Sequence, residues 1–205
     1  MIERNPFKTI IVTGVPGVGK TTVLSIVDKM LTDKAINHLI LNFGDFMLEE
    51  AKRLGLVEHR DQLRHLPLRK QLELQEYAAK SIVSHASSRL DPEGVLLVDT
   101  HAVIKTDTGY WPGLPRGVVT ELKPDSIVLI ESRPEDIVAR QRRDKTRVRS
   151  DLASIDVVKT LMEMARSAAM ASAVEVAASV YITMNVEGDP SSAARDIVSL
   201  IEKLM

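Results

Sequence analysis

Apolar residues gather along this chain in two rhythms, short unbroken runs and longer stretches with mixed three- and four-residue spacing, and the two alternate from end to end. The runs, rich in Val, Ile and Leu, predict buried strands over residues 9–13, 38–42, 95–99, 126–131 and 180–185. The spaced stretches predict helices with one buried side over 20–31, 45–54, 66–89, 134–143, 155–178 and 190–204. Strand followed by helix throughout implies an α/β fold in three layers, a parallel sheet covered by helices on both faces, with its ligand crevice beyond the carboxyl ends of the strands. Functional residues are then expected just after strands. One stretch fits neither rhythm: residues 106–117 hold Gly109, Trp111, Pro112, Gly113, Pro115 and Gly117, a composition that disfavours helix and predicts an ordered surface loop.

The length of 205 residues suits one domain, or one domain with small mobile inserts. A hydrophobic fraction of 44% beside 27% charged residues is an ordinary globular balance, and no run approaches the roughly 20 apolar residues of a membrane span. The first residues lack the basic start and cleavage site of a secretory signal, so the cytoplasm is the expected compartment. Without cysteine there is neither a disulfide framework nor thiolate chemistry. A net charge of −1 gives no overall field for polyanions, which directs attention to local charge instead.

The first predicted strand runs straight into Gly14, Val15, Pro16, Gly17, Val18, Gly19, Lys20, Thr21 and Thr22. The first eight satisfy G-x-x-x-x-G-K-[ST] between a strand and a helix, the setting in which that pattern binds phosphates. Glycines let the backbone curl so that successive N–H groups point inward, and the following helix adds the positive end of its dipole. In such a loop Lys20 reaches the β- and γ-phosphates and the Thr21 hydroxyl ligates Mg²⁺. A carboxylate at the end of a neighbouring strand is expected on the metal side, and Asp99 closes the run Val95-Leu96-Leu97-Val98; a plain strand-end cap is the alternative. His101, two residues on, faces the same crevice and either meets an acceptor or caps the next turn.

Charge concentrates in one place: Arg140, Arg142, Arg143, Lys145, Arg147 and Arg149 fall within ten residues, with Asp144 the one acid among them. Guanidinium forks match the oxygens of a transferring phosphoryl group in pairs, so the cluster suits such a site. A solvated helix end laced with ion pairs is the plainer reading. A nucleic-acid patch is disfavoured, because no aromatic residues interleave for stacking. Arg64 and Arg69, in the helical region after the second strand, are candidates for holding an acceptor phosphate.

Together GVPGVGKTT (14–22), NFGD (42–45), LRHLP (63–67), DTHAVI (99–104), GYWPGLP (109–115), RQRRDKTRVRSD (140–151) and NVEGDP (185–190) make the chain resemble the archaeal type of adenylate kinase over nearly its full length. The resemblance implies a P-loop nucleoside monophosphate kinase: one domain over 1–205 with a five-stranded parallel core, an acceptor-binding insert at about 44–90 and a short lid at about 140–151. It implies reversible phosphoryl transfer from ATP to AMP, giving two ADP, with Mg²⁺ accompanying ATP. Carried over, it gives Gly14 to Thr22 to the ATP phosphates, and Arg140 with Arg147 and Arg149 to a lid that stabilises the transferring group alongside Lys20. Asn42, Asp45 and Arg64 fall on the acceptor side, which His101 adjoins. Commoner bacterial and eukaryotic members carry D-G-x-P-R after the third strand; here Asp99-Thr100-His101 stands, so that element's acceptor arginine has no counterpart. The zinc-bearing lid of some relatives is missing too, in keeping with the lack of cysteine. Two competing readings stand beside this one. A kinase for CMP, UMP or shikimate would share the phosphate loop, whereas a GTPase-like switch would carry N-K-x-D where Ile130-Glu131-Ser132-Arg133-Pro134 occurs. Nucleic acid and membrane are not expected as partners, and the oligomeric state is left open.

Overall fold

The computed structural model describes residues 3–106, 109–143 and 154–205. The first half runs β1 (Lys8–Thr13), α1 (Lys20–Asp33), β2 (His38–Asn42), α2 (Phe43–Arg53), a 3₁₀ helix (Arg60–His65), α3 (Leu68–Ser87) and β3 (Val95–Asp99). The second half runs β4 (Val103–Thr106), β5 (Gly109–Pro112), α4 (Arg116–Leu122), β6 (Ser126–Glu131), α5 (Pro134–Arg143), α6 (Ile155–Val176), β7 (Ser179–Met184) and α7 (Pro190–Leu204).

Five strands form one parallel sheet in the order β2-β3-β1-β6-β7. Side chains alternate between its faces, and both faces are buried, which is why the central strands read as continuous apolar runs. Ile11, Leu96, Val98, Ile127 and Leu129 point to one side, where they meet Leu74, Ala78 and Ile82 of α3, Val118 and Val119 of α4, and Ala165, Ala169 and Ala173 of α6. Ile10, Val12, Val95, Leu97, Val128 and Ile130 point to the other, against Val23, Val27 and Leu31 of α1 and Ile197, Val198 and Ile201 of α7. Removing such a side chain down to alanine costs about 2–5 kcal/mol. The start of α7 is set by Pro190 in its first turn and by Asp189, whose carboxylate accepts from the Ser192 amide at 3.2 Å. Among the described residues no helix is long and apolar enough to cross a membrane.

The stretch over 106–117, expected as a loop, departs from that reading. Residues 109–112 form β5, which pairs antiparallel with β4, and α4 begins at Arg116 directly after Pro115. Pro115 stands at the capping position, where its missing N–H costs nothing, so the proline that argues against helix interior here marks a helix start. Likewise α3 begins after Pro67 rather than before it, and α2 begins at Phe43, directly after β2, two residues earlier than its periodicity indicates.

Candidate active site

The carboxyl ends of β1, β2 and β3 lie in one row, because the parallel register pairs Val12 with Asp99 and Asp99 with Asn42. A cavity of about 420 Å³ opens above that row, lined by Val15 to Thr22, Asn42, Arg60, Asp99, His101, Arg140 and Gln141. The phosphate-loop pattern therefore opens onto the same space as the acid and amide that end the neighbouring strands.

The loop curls through Gly17 and Gly19, with φ of 89° and 94°, a left-handed geometry that side chains with a Cβ rarely adopt. Its glycine carbonyl at position 14 accepts from Lys20 Nζ at 3.4 Å and lies 3.0 Å from His101 Nδ1. His101 Nδ1 also lies 3.2 Å from Lys20 Nζ, so the ring donates to the carbonyl in one tautomer and accepts from the ammonium in the other. Lys20 is only 9% exposed and its ammonium lies 3.7 Å from Asp99 Oδ1.

Beyond Asp99 the polar groups continue. Asn42 Nδ2 donates to Asp99 Oδ2 at 2.9 Å, and Asn42 Oδ1 accepts from Arg60 Nη2 at 2.7 Å. The other arm of the Arg60 guanidinium donates to Asp45 Oδ1 at 2.7 Å. Gly44 makes room for this, since a Cβ there would come within 2.1 Å of Arg60 Nη2. A continuous chain of contacts thus leads from Arg60 through Asn42 and Asp99 to Lys20.

On the opposite flank Arg140 donates through Nη1 to the Val18 carbonyl at 2.9 Å and through Nε to Glu187 at 2.7 Å, and Arg143 reaches the other Glu187 oxygen at 3.3 Å. The hydrogen bond from Arg140, then that from Arg143, holds the Glu187 carboxyl below the usual carboxylate range. A different bridge braces the end of β6: buried Glu131 accepts both arms of Arg166, at 2.7 and 2.6 Å, which raises the guanidinium above its ordinary value.

Of the residues singled out from sequence, Lys20, Thr21, Asn42, Asp99, His101 and Arg140 line the cavity, and Asp45 touches it through Arg60. Arg147 and Arg149 lie outside the described residues. Arg64 sits half-buried in the 3₁₀ helix, where its backbone carbonyl accepts from Gln71 at 3.3 Å; it does not line the cavity, nor does exposed Arg69. Four residues at the site escaped sequence reasoning: Arg60, Gln141, Asn185 and Glu187. For Asn185 and Glu187 a signal existed, since both belong to the NVEGDP stretch.

A family model described as an AAA domain matches residues 13–159, the portion that carries the phosphate loop. The adenylate kinase of Saccharolobus solfataricus is 52% identical over 189 residues, spanning 92% of this chain and 96% of that protein. The chain belongs to the adenylate kinase family. More distant members agree: the adenylate kinases of Methanopyrus kandleri and Methanocaldococcus jannaschii are 44% and 42% identical over 195 residues, 95% of this chain and 98% of each of those proteins. For an adenylate kinase family member the cavity is chemically apt. It sets a glycine-rich loop and a buried lysine on one side and an arginine held by Asn42 and Asp45 on the other.

Proposed function

We propose that this chain catalyses reversible transfer of the γ-phosphoryl group of ATP to AMP, giving two ADP. The observation that carries the reading is the chain of contacts from Arg60 through Asn42 and Asp99 to Lys20, which ties an arginine fit for an acceptor phosphate to a loop fit for donor phosphates within one cavity. The donor phosphates lie along Gly14 to Thr22, and Lys20 turns from the Gly14 carbonyl onto the β- and γ-phosphoryl oxygens. Because that lysine is buried, its charge acts in a medium less screening than water and stabilises charge spreading over the transferring group. Arg60, which Asn42 and Asp45 hold at the edge of the cavity, turns from them to anchor the AMP phosphate. Arg140 covers the donor and excludes water, and His101 borders the path between the two nucleotides. Transfer between two well-placed phosphates needs no protein nucleophile.

Mg²⁺ fits the residues present. Asp99 Oδ1 is buried without a hydrogen-bond partner among the described residues, and Thr21 lines the same cavity, so both supply the hard oxygens this ion prefers. Among the described residues no three His, Cys, Asp or Glu side chains gather as a metal cage, so nucleotide phosphates and water would complete the coordination that Thr21 and Asp99 begin. When bound, the ion withdraws negative charge from the β- and γ-phosphoryl oxygens.

An acceptor panel tests the proposal: the protein is incubated with MgATP and each nucleoside monophosphate in turn, and ADP is measured. Rapid ADP formation with AMP is expected. Turnover with CMP or UMP but not with AMP would assign the acceptor side differently, and ATP hydrolysis indifferent to every acceptor would remove the kinase reading.

A further inference from the structure

A phosphate loop binds anions only while its peptide planes are turned the right way, and in this protein side chains from outside the loop hold them. The carboxamide of Gln141, on α5, donates through Nε2 to the Pro16 carbonyl at 2.6 Å. The carboxamide of Asn185, just after β7, donates through Nδ2 to the Val18 carbonyl at 2.7 Å, the same oxygen that Arg140 holds. Both side chains are buried, 6% and 4% exposed. Each sits in a space that a glycine leaves open. A Cβ on Gly17 would come within 2.8 Å of Gln141 Cγ, and one on Gly19 within 2.5 Å of Asn185 Nδ2. The two glycines thus serve twice, for their left-handed backbone and for the seats they provide.

The orientation of both amides follows from chemistry. Reversing either would set its oxygen against a carbonyl oxygen, so the NH₂ group faces the loop, although Gln141 Oε1 and Asn185 Oδ1 are then buried without a partner among the described residues. An unpartnered buried acceptor is unfavourable, which makes the donated bond the interaction that accounts for a carboxamide at each position. In a trans peptide the carbonyl and the following N–H point in opposite directions. Pinning the Pro16 and Val18 oxygens outward therefore fixes the Gly17 and Gly19 N–H groups to the inner side of the curl.

We infer that Gln141 and Asn185 are positioning residues of the donor site, which act through the Pro16 and Val18 carbonyls to keep the loop in its anion-binding shape before nucleotide arrives. They touch peptide, not base, so their effect belongs to the polyphosphate part of the donor. The inference rests on residues 14–22 being the donor phosphate site and is independent of which acceptor is used.

Calorimetric titration of wild type, Gln141→Met and Asn185→Ala with MgATP, magnesium tripolyphosphate and AMP tests it. Gln141→Met keeps the length of the side chain and removes its donor. Expected is a loss of roughly tenfold in affinity for MgATP and for tripolyphosphate alike, the scale of one lost hydrogen bond of this kind, with AMP affinity unchanged. A loss confined to MgATP would overturn the inference in favour of contact with the base. No loss for either donor ligand would overturn it outright, and so would a parallel fall in AMP affinity, which marks a general structural role. Failure of the AMP-kinase reading looks different: AMP would not bind wild type, while the donor ligands would still report on both variants. A measurement on wild type stands beside these and needs no variant. Backbone ¹⁵N relaxation at Gly17 and Gly19 without nucleotide should give order parameters near about 0.85, whereas values below about 0.6 would show a loop that nothing holds.

Discussion

Arg60→Ala is the perturbation that most sharply separates the acceptor side of the cavity from the rest. The guanidinium now holds Asn42 Oδ1 and Asp45 Oδ1, each at 2.7 Å, and its side chain is 41% exposed. On an AMP phosphate it would make charge-assisted hydrogen bonds of about 1.5–3 kcal/mol each. Against them stand an exposed ion pair with Asp45, worth about 0.2–1 kcal/mol, and an ordinary hydrogen bond to Asn42 of about 1 kcal/mol, both given up when the arginine turns. For two bonds to phosphate, screened by solvent at this exposure, the balance is about 2 kcal/mol, or roughly thirtyfold in AMP affinity. Titrating AMP by calorimetry, and AMP at saturating MgATP in a coupled assay for ADP, reads this directly. MgATP affinity should stay within about twofold, and the melting temperature should barely move, because an exposed pair contributes little to folding. Arg64→Ala, outside the cavity lining, is the comparator and should change AMP affinity by less than about threefold, the scale of a surface substitution. Intact AMP binding in Arg60→Ala, with its loss in Arg64→Ala, would move the acceptor phosphate from Arg60 to Arg64.

Three further outcomes are expected. Lys20→Ala should fold and bind AMP normally while phosphoryl transfer falls at least about a hundredfold, roughly 3 kcal/mol of transition-state stabilisation; near-normal turnover would sink the assignment of the loop. Gly113→Ala should lower stability by about 1–3 kcal/mol, since a Cβ there would come within 1.8 Å of the His101 carbonyl, and backbone cannot step aside as a side chain can; an unchanged melting temperature would contradict this. Acid should destabilise the fold through Glu187, Glu50 and Asp136, whose carboxyls hydrogen bonds from Arg140, Arg53 and Arg133 respectively hold below their ordinary values. A group with a depressed folded value contributes fully above its unfolded value, near about 4, and loses that contribution as pH falls through the depressed one. Melting temperature should therefore drop as pH falls below about 4, and Glu187→Gln should flatten part of that fall; an identical profile for that variant would rule out its share.

The sheet was legible because its central strands are buried on both faces, so burial and sequence report the same thing: four of the five expected strands end where the runs 9–13, 38–42, 95–99 and 126–131 end. The phosphate loop was legible for a related reason, since its chemistry needs particular residues at fixed spacing. Arg60 was not. Its stretch, Glu58-His59-Arg60-Asp61-Gln62, has no apolar rhythm, and only the bonds to Asn42 and Asp45, 18 and 15 residues away, single it out from Arg64. Gln141 was hidden among arginines, and a neutral amide inside a basic run draws no notice until its donor is seen on the Pro16 carbonyl. The β4–β5 hairpin was hidden by composition. Gly113 reads as a loop residue, but it is glycine because the His101 carbonyl lies against its α-carbon.

That last contact shows how the site inherits its geometry from the core. The Thr100 amide donates to the Val12 carbonyl at 3.0 Å, the Ala102 amide to the Thr13 hydroxyl at 2.7 Å, and the Gly113 amide to the Ala102 carbonyl at 2.9 Å. The segment from Asp99 to Ala102 is thereby fastened to the end of β1 on one side and to the hairpin on the other. His101, between two pinned residues, has little choice but to face the Gly14 carbonyl. The register of β3 does the same for Asp99. A slip of one residue would carry its side chain to the opposite face of the sheet, but it would also exchange Leu96 and Val98 with Val95 and Leu97 between the two cores, and close-packed interiors resist that exchange. Packing on both faces thus fixes the carboxylate beside Lys20 more firmly than any contact within the cavity. The polar residues of the site need then only supply chemistry, because their positions are already decided by apolar ones.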